Sequence, residues 1–172
     1  MNETILKNKI MVLENDINRL NAMVIQANFS ASEAQKEANY HIGAMQSRYD
    51  TFKEEAQYLA EAQKLRVITL KSKISQSQDL IKKLQFSKAN TTDGFVDLGS
   101  IVLIQIEDEK DEVCYFFVPD GTGQIVNIEN YQVVCVNPEA PIAKFIIGLQ
   151  VNDEVEVLFR GKKKLGIIID LF

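Results

Sequence analysis

The sequence predicts an α+β protein in two parts. An N-terminal antiparallel α-helical coiled-coil hairpin spans residues 1–87, and a small antiparallel β-sheet domain with one short helix spans 95–172. Three observations predict this. Apolar residues recur at alternating steps of four and three from Leu6 to Leu84, the spacing of a heptad seam. The seam of the first half mirrors that of the second, as an antiparallel pair requires. Beyond residue 94 the helical period gives way to short runs rich in Val, Ile, Phe and Tyr, broken by Gly, Asp and Pro.

The first helix is expected from Glu3 to about His41, on the seam Leu6, Ile10, Leu13, Ile17, Leu20, Val24, Ala27, Ala31, Ala34 and Ala38. The change from aliphatic residues to alanine lets the helix axes approach and makes the distal part slender. It also weakens that part, because each buried methylene lost removes about 0.8 kcal/mol. The bend is placed near 42–50, where Gly43 permits left-handed backbone at a helix end and Ser47 and Asp50 are both candidate N-caps.

The second helix is expected from about Asp50 to Phe86, on the seam Ala56, Ala60, Gln63, Val67, Leu70, Ile74, Ser77, Ile81 and Leu84. The register follows from number: Leu6 with Leu84, Ile10 with Ile81, Ile17 with Ile74, Leu20 with Leu70 and Val24 with Val67 each add to 90 or 91. At 1.5 Å rise per residue, arms of roughly 40 residues make a finger about 60 Å long.

Residues 88–94, small and polar and ending in Asp-Gly, read as a linker. The strand-like runs that follow are 95–108, 112–121, 124–137 and 154–172, the last breaking in two near Arg160–Lys163. Between them Pro141–Ile147 is a short helix candidate stopped by Gly148.

Composition narrows the function classes. No apolar run approaches the ~20 residues that span a bilayer, and the N-terminus lacks a signal-peptide layout, so a soluble cytoplasmic protein with no membrane partner is expected. Cys114 and Cys135 sit in strand-like apolar runs and read as reduced core residues rather than a disulfide. The single His41 and the lack of a Cys/His cluster exclude a recognisable zinc site.

The net charge of −5 is unevenly spread: residues 33–61 carry three bases and six acids, 62–88 seven bases and one acid, and 89–172 six bases and fourteen acids. The basic stem, Lys64, Arg66, Lys71 and Lys73, reads either as a solvated helix face or as a stripe along RNA phosphates.

Ala140-Pro141-Ile142-Ala143-Lys144, then Gly148, then Asp153-Glu154-Val155, in a β-rich domain behind a long helical hairpin, together resemble the Gre family of bacterial transcript-cleavage factors. Val96-Asp97-Leu98-Gly99-Ser100 resembles the run that opens the family's C-terminal domain, and Lys53-Glu54-Glu55-Ala56-Gln57-Tyr58 resembles its K-E-N-A-E-Y segment. The likeness covers essentially the whole chain. It implies an FKBP-like fold for 95–172 and binding to bacterial RNA polymerase through Pro141, Ile142, Ala143, Lys144, Asp153 and Glu154. It further implies that the hairpin enters the secondary channel near the nascent RNA 3′ end. The family's cleaving members carry two tip acids in a D-L-x-E pattern; here those positions read Thr51-Phe52-Lys53-Glu54, and the first acid is displaced to Asp50.

Asp50 and Glu54, spaced i, i+4, share a helix face and are the candidate catalytic and metal-facing acids, with Glu55 as a fallback. The chain is expected to hold no cofactor of its own. The resemblance implies that it shares Mg²⁺ with the polymerase and stimulates the polymerase's own endonuclease, so it is not expected to be an enzyme alone, and it is expected to be a monomer when free. The alternatives are a non-cleaving regulator in the same channel, a peptidyl-prolyl isomerase and a coiled-coil adaptor. An isomerase finds only Phe116, Phe117 and Tyr131 for an aromatic pocket. An adaptor leaves the acidic tip unexplained.

Overall fold

A computed structural model of the 172-residue chain describes residues 3–40, 49–86, 94–107, 112–159 and 161–172, with only the backbone at 40 and 49–52. The elements run α1 (Glu3–Tyr40), α2 (Tyr49–Phe86), β1 (Ile101–Ile106), β2 (Glu112–Phe117), β3 (Thr122–Ile128), β4 (Tyr131–Val136), α3 (Pro141–Ile146), β5 (Glu154–Phe159) and β6 (Lys162–Leu171). Both long helices therefore stand where the heptads predict them. The bend near 42–50 falls largely outside the described residues, as does the linker up to residue 93.

The chain divides into two compact units, and the division does not follow the linker. One unit is residues 16–75. The other joins residues 1–15 and 76–172.

In the first unit the seam closes as the register predicts. Leu20, Leu70 and Ile74 pack together, with Ile17, Met23 and Val24 against them. Ala27, Ala31, Ala34, Ala38, Ala56, Ala60 and Val67 are also buried. Their small side chains fill a seam that larger ones would hold apart.

In the second unit a six-stranded sheet runs β3-β4-β2-β1-β6-β5. The neighbours are antiparallel except β2 and β4, which pair in parallel from Cys114↔Val133 to Phe117↔Val136. The sheet is thus mixed rather than wholly antiparallel. After β2 the chain skips one strand position, runs out along the edge as β3, and turns back at Glu129-Asn130, so that β4 fills the gap. Glu129 takes the left-handed conformation (φ 53°) that the reversal needs. The single stretch read at 124–137 is therefore two strands, and the run read from 95 becomes regular strand only at Ile101.

Alternation along β1 and β2 sends side chains to two cores. On one face Ile101, Leu103, Cys114, Phe116, Val133 and Cys135 meet Ile5, Val12 and Leu13 of α1 and Leu80 of α2. On the other, Val102, Ile104, Tyr115, Phe117 and Ile168 meet Ala143 and Ile146 of α3. Burial on both faces is why IVLIQI reads as a nearly continuous apolar run. Cys114 and Cys135 are buried in the core, as expected, and no disulfide joins them; burial pushes the Cys114 thiol up to about 12.

The lower end of α1 departs from a simple seam. Ile5, Lys9, Val12 and Asp16 are buried, whereas Leu6, Ile10 and Ile17 are only half-buried. This stripe lies one residue out of step with the heptad. In the unit that contains the sheet, Ile5 and Val12 of that stripe face the strands.

Candidate functional site

The candidate acids stand at the start of α2. The helix opens at Tyr49, so Asp50 is its second residue rather than the residue flanking it; Ser47 lies outside the described residues. A carboxylate in a first turn is favoured by the unpaired backbone N–H groups there. Glu54 follows one turn later and is exposed; Glu55, also exposed, points about 100° around the helix. Asp50 and Glu54 share one side of α2 because four residues nearly complete a turn. Two carboxylates fill at most a minority of the six positions that Mg²⁺ demands, so they fit a metal only jointly with ligands from elsewhere. Among the described residues no three His, Cys, Asp or Glu side chains group as a metal site.

The basic residues of α2 do not form one stripe. Lys64 and Lys71 are seven residues apart and share one side, and Arg66 and Lys73 share another, about 200° away. Lys64, Arg66 and Lys71 are exposed, and Lys73 is half-buried.

The Ala140–Lys144 motif builds α3. Ala140 precedes the helix in extended conformation without a side-chain cap, and Pro141 occupies its first turn, where a missing N–H costs nothing. Ala143 and Ile146 are fully buried beneath the sheet, and Ile142 is half-buried. Gly148, at φ +91°, ends the turn, and its N–H donates to Val96 O at 2.9 Å. Pro141, Lys144 and Phe145 are left facing out, with Phe145 63% exposed.

Asp153 closes the following turn. Its Oδ2 accepts from Gln150 N–H at 2.7 Å, and its carbonyl accepts from Ile168 N–H at 3.1 Å. Glu154, exposed, opens β5 opposite Ile167. Of the six motif residues expected to meet a partner, Pro141, Lys144 and Glu154 thus offer surface, while Ala143 serves the core. Phe145 was missed by the sequence reading. The i, i+3 pair Ala143/Ile146 is the signal that turns it outward.

Val96–Ser100 forms a turn in the same unit. Ser100 N–H donates to Asp97 O at 3.0 Å, and Asp97 N–H donates to Ser100 Oγ at 3.0 Å. Gly99 sits at φ +93°, a conformation that strains any other residue, and a Cβ there would lie 2.8 Å from Leu80 Cδ1, which would have to shift. Lys83 Nζ pairs with Asp97 Oδ2 at 2.9 Å and holds that carboxyl below its usual range. Beside the turn, Lys9 is 2% exposed. Its Nζ donates to Gly99 O at 2.8 Å and to Phe172 O at 2.5 Å, and lies 5.9 Å from the centre of the Phe116 ring. Burial lowers its pKa to about 8. No sequence signal separates this lysine from the solvated ones.

No protein-family model matches the chain, and no curated protein matches it. Solved structures do. The chain is similar to the GreA factor homolog 1 (Gfh1) protein of Thermus thermophilus at 14% identity and TM-score 0.39, over 91% of this chain and 94% of that one. It is similar to Thermus aquaticus Gfh1 at 18% identity and TM-score 0.37, over 90% and 92%. It is similar to a prokaryotic transcription elongation factor GreA/GreB from Nitrosomonas europaea at 20% identity and TM-score 0.37, over 55% and 78%. Likeness at this level assigns no activity.

Proposed function

We propose that this protein is a transcription elongation factor that binds bacterial RNA polymerase, inserts its coiled coil into the secondary channel and stimulates cleavage of backtracked transcript. The observation that carries this reading is the start of α2: Asp50 is its second residue, and Glu54 stands exposed one turn further on. A seam of buried alanines leads to it. The motif resemblance supports the partner, and the exposed residues Pro141, Lys144 and Glu154, with half-buried Ile142 and Asp153 beside them, supply the docking surface.

On this reading the chain contributes carboxylates and position. Asp50 and Glu54 would add metal-facing carboxylates where the polymerase's own acids are too few, and together they orient the attacking water by accepting hydrogen bonds from it. Mg²⁺ shared with the polymerase supplies Lewis acidity at the scissile phosphodiester and a more acidic bound water. Held on two packed helices, the acids lose little freedom on docking. Lys64 and Lys71 on one side, or Arg66 and Lys73 on the other, attract the extruded RNA 3′ end.

A cleavage assay on a stalled, backtracked elongation complex tests this. Wild type should release RNA fragments, and Asp50→Asn should abolish release while polymerase binding persists. Glu54→Gln should reduce release less and be partly rescued by added Mg²⁺, because mass action offsets weaker coordination. The i, i+4 spacing of the acids, in place of i, i+3, favours one second reading: a regulator that occupies the channel without cleaving. Binding that competes with a channel factor, with no release at any Mg²⁺ concentration, selects that reading.

A further inference from the structure

One side of α2 has a pattern that the seam does not use, and it takes in Glu54, Lys64 and Lys71 of the candidate site. Glu54, Gln57, Glu61, Lys64, Ile68 and Lys71 follow one another at steps of three and four, so they form a second stripe along the helix. All six are exposed, and Ile68 is 64% exposed. Among the described residues no ion pair joins its four charged members, although Lys36–Glu33 and Lys82–Asp79 close at the same i, i+3 spacing that separates Glu61 from Lys64. The stripe reads acid, neutral, acid, base, apolar, base.

Laid antiparallel on a copy of itself, the stripe is self-complementary. Glu54 meets the second copy's Lys71, Glu61 meets its Lys64, and Gln57 meets its Ile68; every pair of numbers adds to 125. Laid parallel in register, like charge meets like. One arrangement therefore pairs all four charges of each copy, and it is a two-fold one, with the axis crossing α2 between Ala62 and Gln63. The helix α1 adds to the same side. Ile25 and Ile68 each follow a seam residue, Val24 and Val67, that the hairpin register sets at one level, and Ile25 is 71% exposed. Ile25 and Ile68 therefore put two exposed apolar side chains on this side, with Gln57 of the second copy opposite Ile68.

Against the sequence expectation of a monomer, we propose that the free protein self-associates weakly through this side of its hairpin, α2 antiparallel to α2 of a second copy. The occupant is a second copy because the charge order is its own complement under a two-fold rotation, which an unrelated partner has no reason to match. A contact of this length is small and its ion pairs are solvated, so the pairing is weak and sensitive to salt. It engages Glu54, so a paired copy cannot offer that carboxylate elsewhere. That consequence rests on the proposed function; the pairing itself does not, and the test below contains no polymerase.

Sedimentation equilibrium of the full chain measures it. At about 50 mM salt a dimer should form with a dissociation constant on the order of 10–100 µM, and at about 500 mM salt the constant should rise roughly tenfold or more. Glu54→Lys with Glu61→Lys makes the stripe wholly basic, and Lys64→Glu with Lys71→Glu makes it wholly acidic. Each double variant alone should stay monomeric, and an equimolar mixture should associate at least as tightly as wild type. All four positions are exposed, so helical circular dichroism should be unchanged in both. A wild type that stays monomeric at about 200 µM and low salt overturns the proposal. So does a wild-type dimer that either double variant retains, or a mixture that remains monomeric. Binding of a short RNA by a monomeric wild type, lost on Lys64→Glu with Lys71→Glu, would assign the stripe to nucleic acid instead.

Discussion

Lys9 carries a charge into a core, and its pKa records what that costs. Burial lowers the pKa from 10.5 to about 8, so between those values the unfolded chain holds a proton that the folded chain has lost. Stability contributed by this group is therefore fully present above pH 10.5 and is lost as pH falls through about 8. The span corresponds to about 3 kcal/mol. Denaturant unfolding between pH 7.5 and 10.5, compared between wild type and Lys9→Met, isolates it: wild type should gain stability with pH relative to the variant. Equal slopes would show that Gly99 O and Phe172 O solvate the ammonium well enough to cancel its burial. Lys9 was not legible in the sequence because its identity contradicts its position. It sits at i+4 from Ile5 and three before Val12, a periodic core position, yet lysine ordinarily signals solvent. Glu54 was legible as an exposed acid because its heptad position and its chemistry agree.

Elements were read most accurately where one period ran longest. Helix α1 ends one residue from its expected end, and α2 begins one residue before Asp50. Four heptads of agreement outweigh any single residue. The strands were read less well, because the turn that splits β3 from β4 is Glu129-Asn130, without the Gly or Pro that usually marks one. Two outcomes follow at this scale. Cysteines at Leu20 and Leu70, which pack together, should cross-link in an otherwise cysteine-free chain, and cysteines at Leu20 and Ile81 should not. In α3, Ala143→Asp buries a carboxylate beneath the sheet and should cost several kcal/mol, read as a lowered unfolding midpoint. Lys144→Glu and Phe145→Ala, both outward, should leave that midpoint within about 0.5 kcal/mol and lower retention by immobilised polymerase. Loss of retention without loss of stability would locate the docking surface on α3. Full retention in both would remove it from there.

The whole molecule is divided differently from the order of its sequence. Composition shifts at Ser87–Gly94, which suggests a boundary there, yet the unit that contains the sheet also takes residues 1–15 and 76–86. The reason is one face of the sheet: Ile101, Leu103, Cys114, Phe116, Val133 and Cys135 are covered by Ile5, Val12, Leu13 and Leu80. At about 1.5–3 kcal/mol for each of those four covering side chains, the contact is worth on the order of 6–12 kcal/mol. That equals the whole stability of many small domains. A fragment of residues 89–172 should therefore unfold without a cooperative transition and bind a hydrophobic dye. Its failure to retain polymerase would then report lost folding rather than the absence of a docking surface. Deleting residues 16–75 and joining Asn15 to Gln76 through a short Gly/Ser turn keeps every covering side chain. That shortened protein should unfold cooperatively and retain polymerase, while stimulating no cleavage because Asp50 and Glu54 are gone. If the 89–172 fragment instead unfolds cooperatively at the midpoint of the shortened protein, the helix bases contribute nothing to the sheet. The boundary then lies at the linker after all.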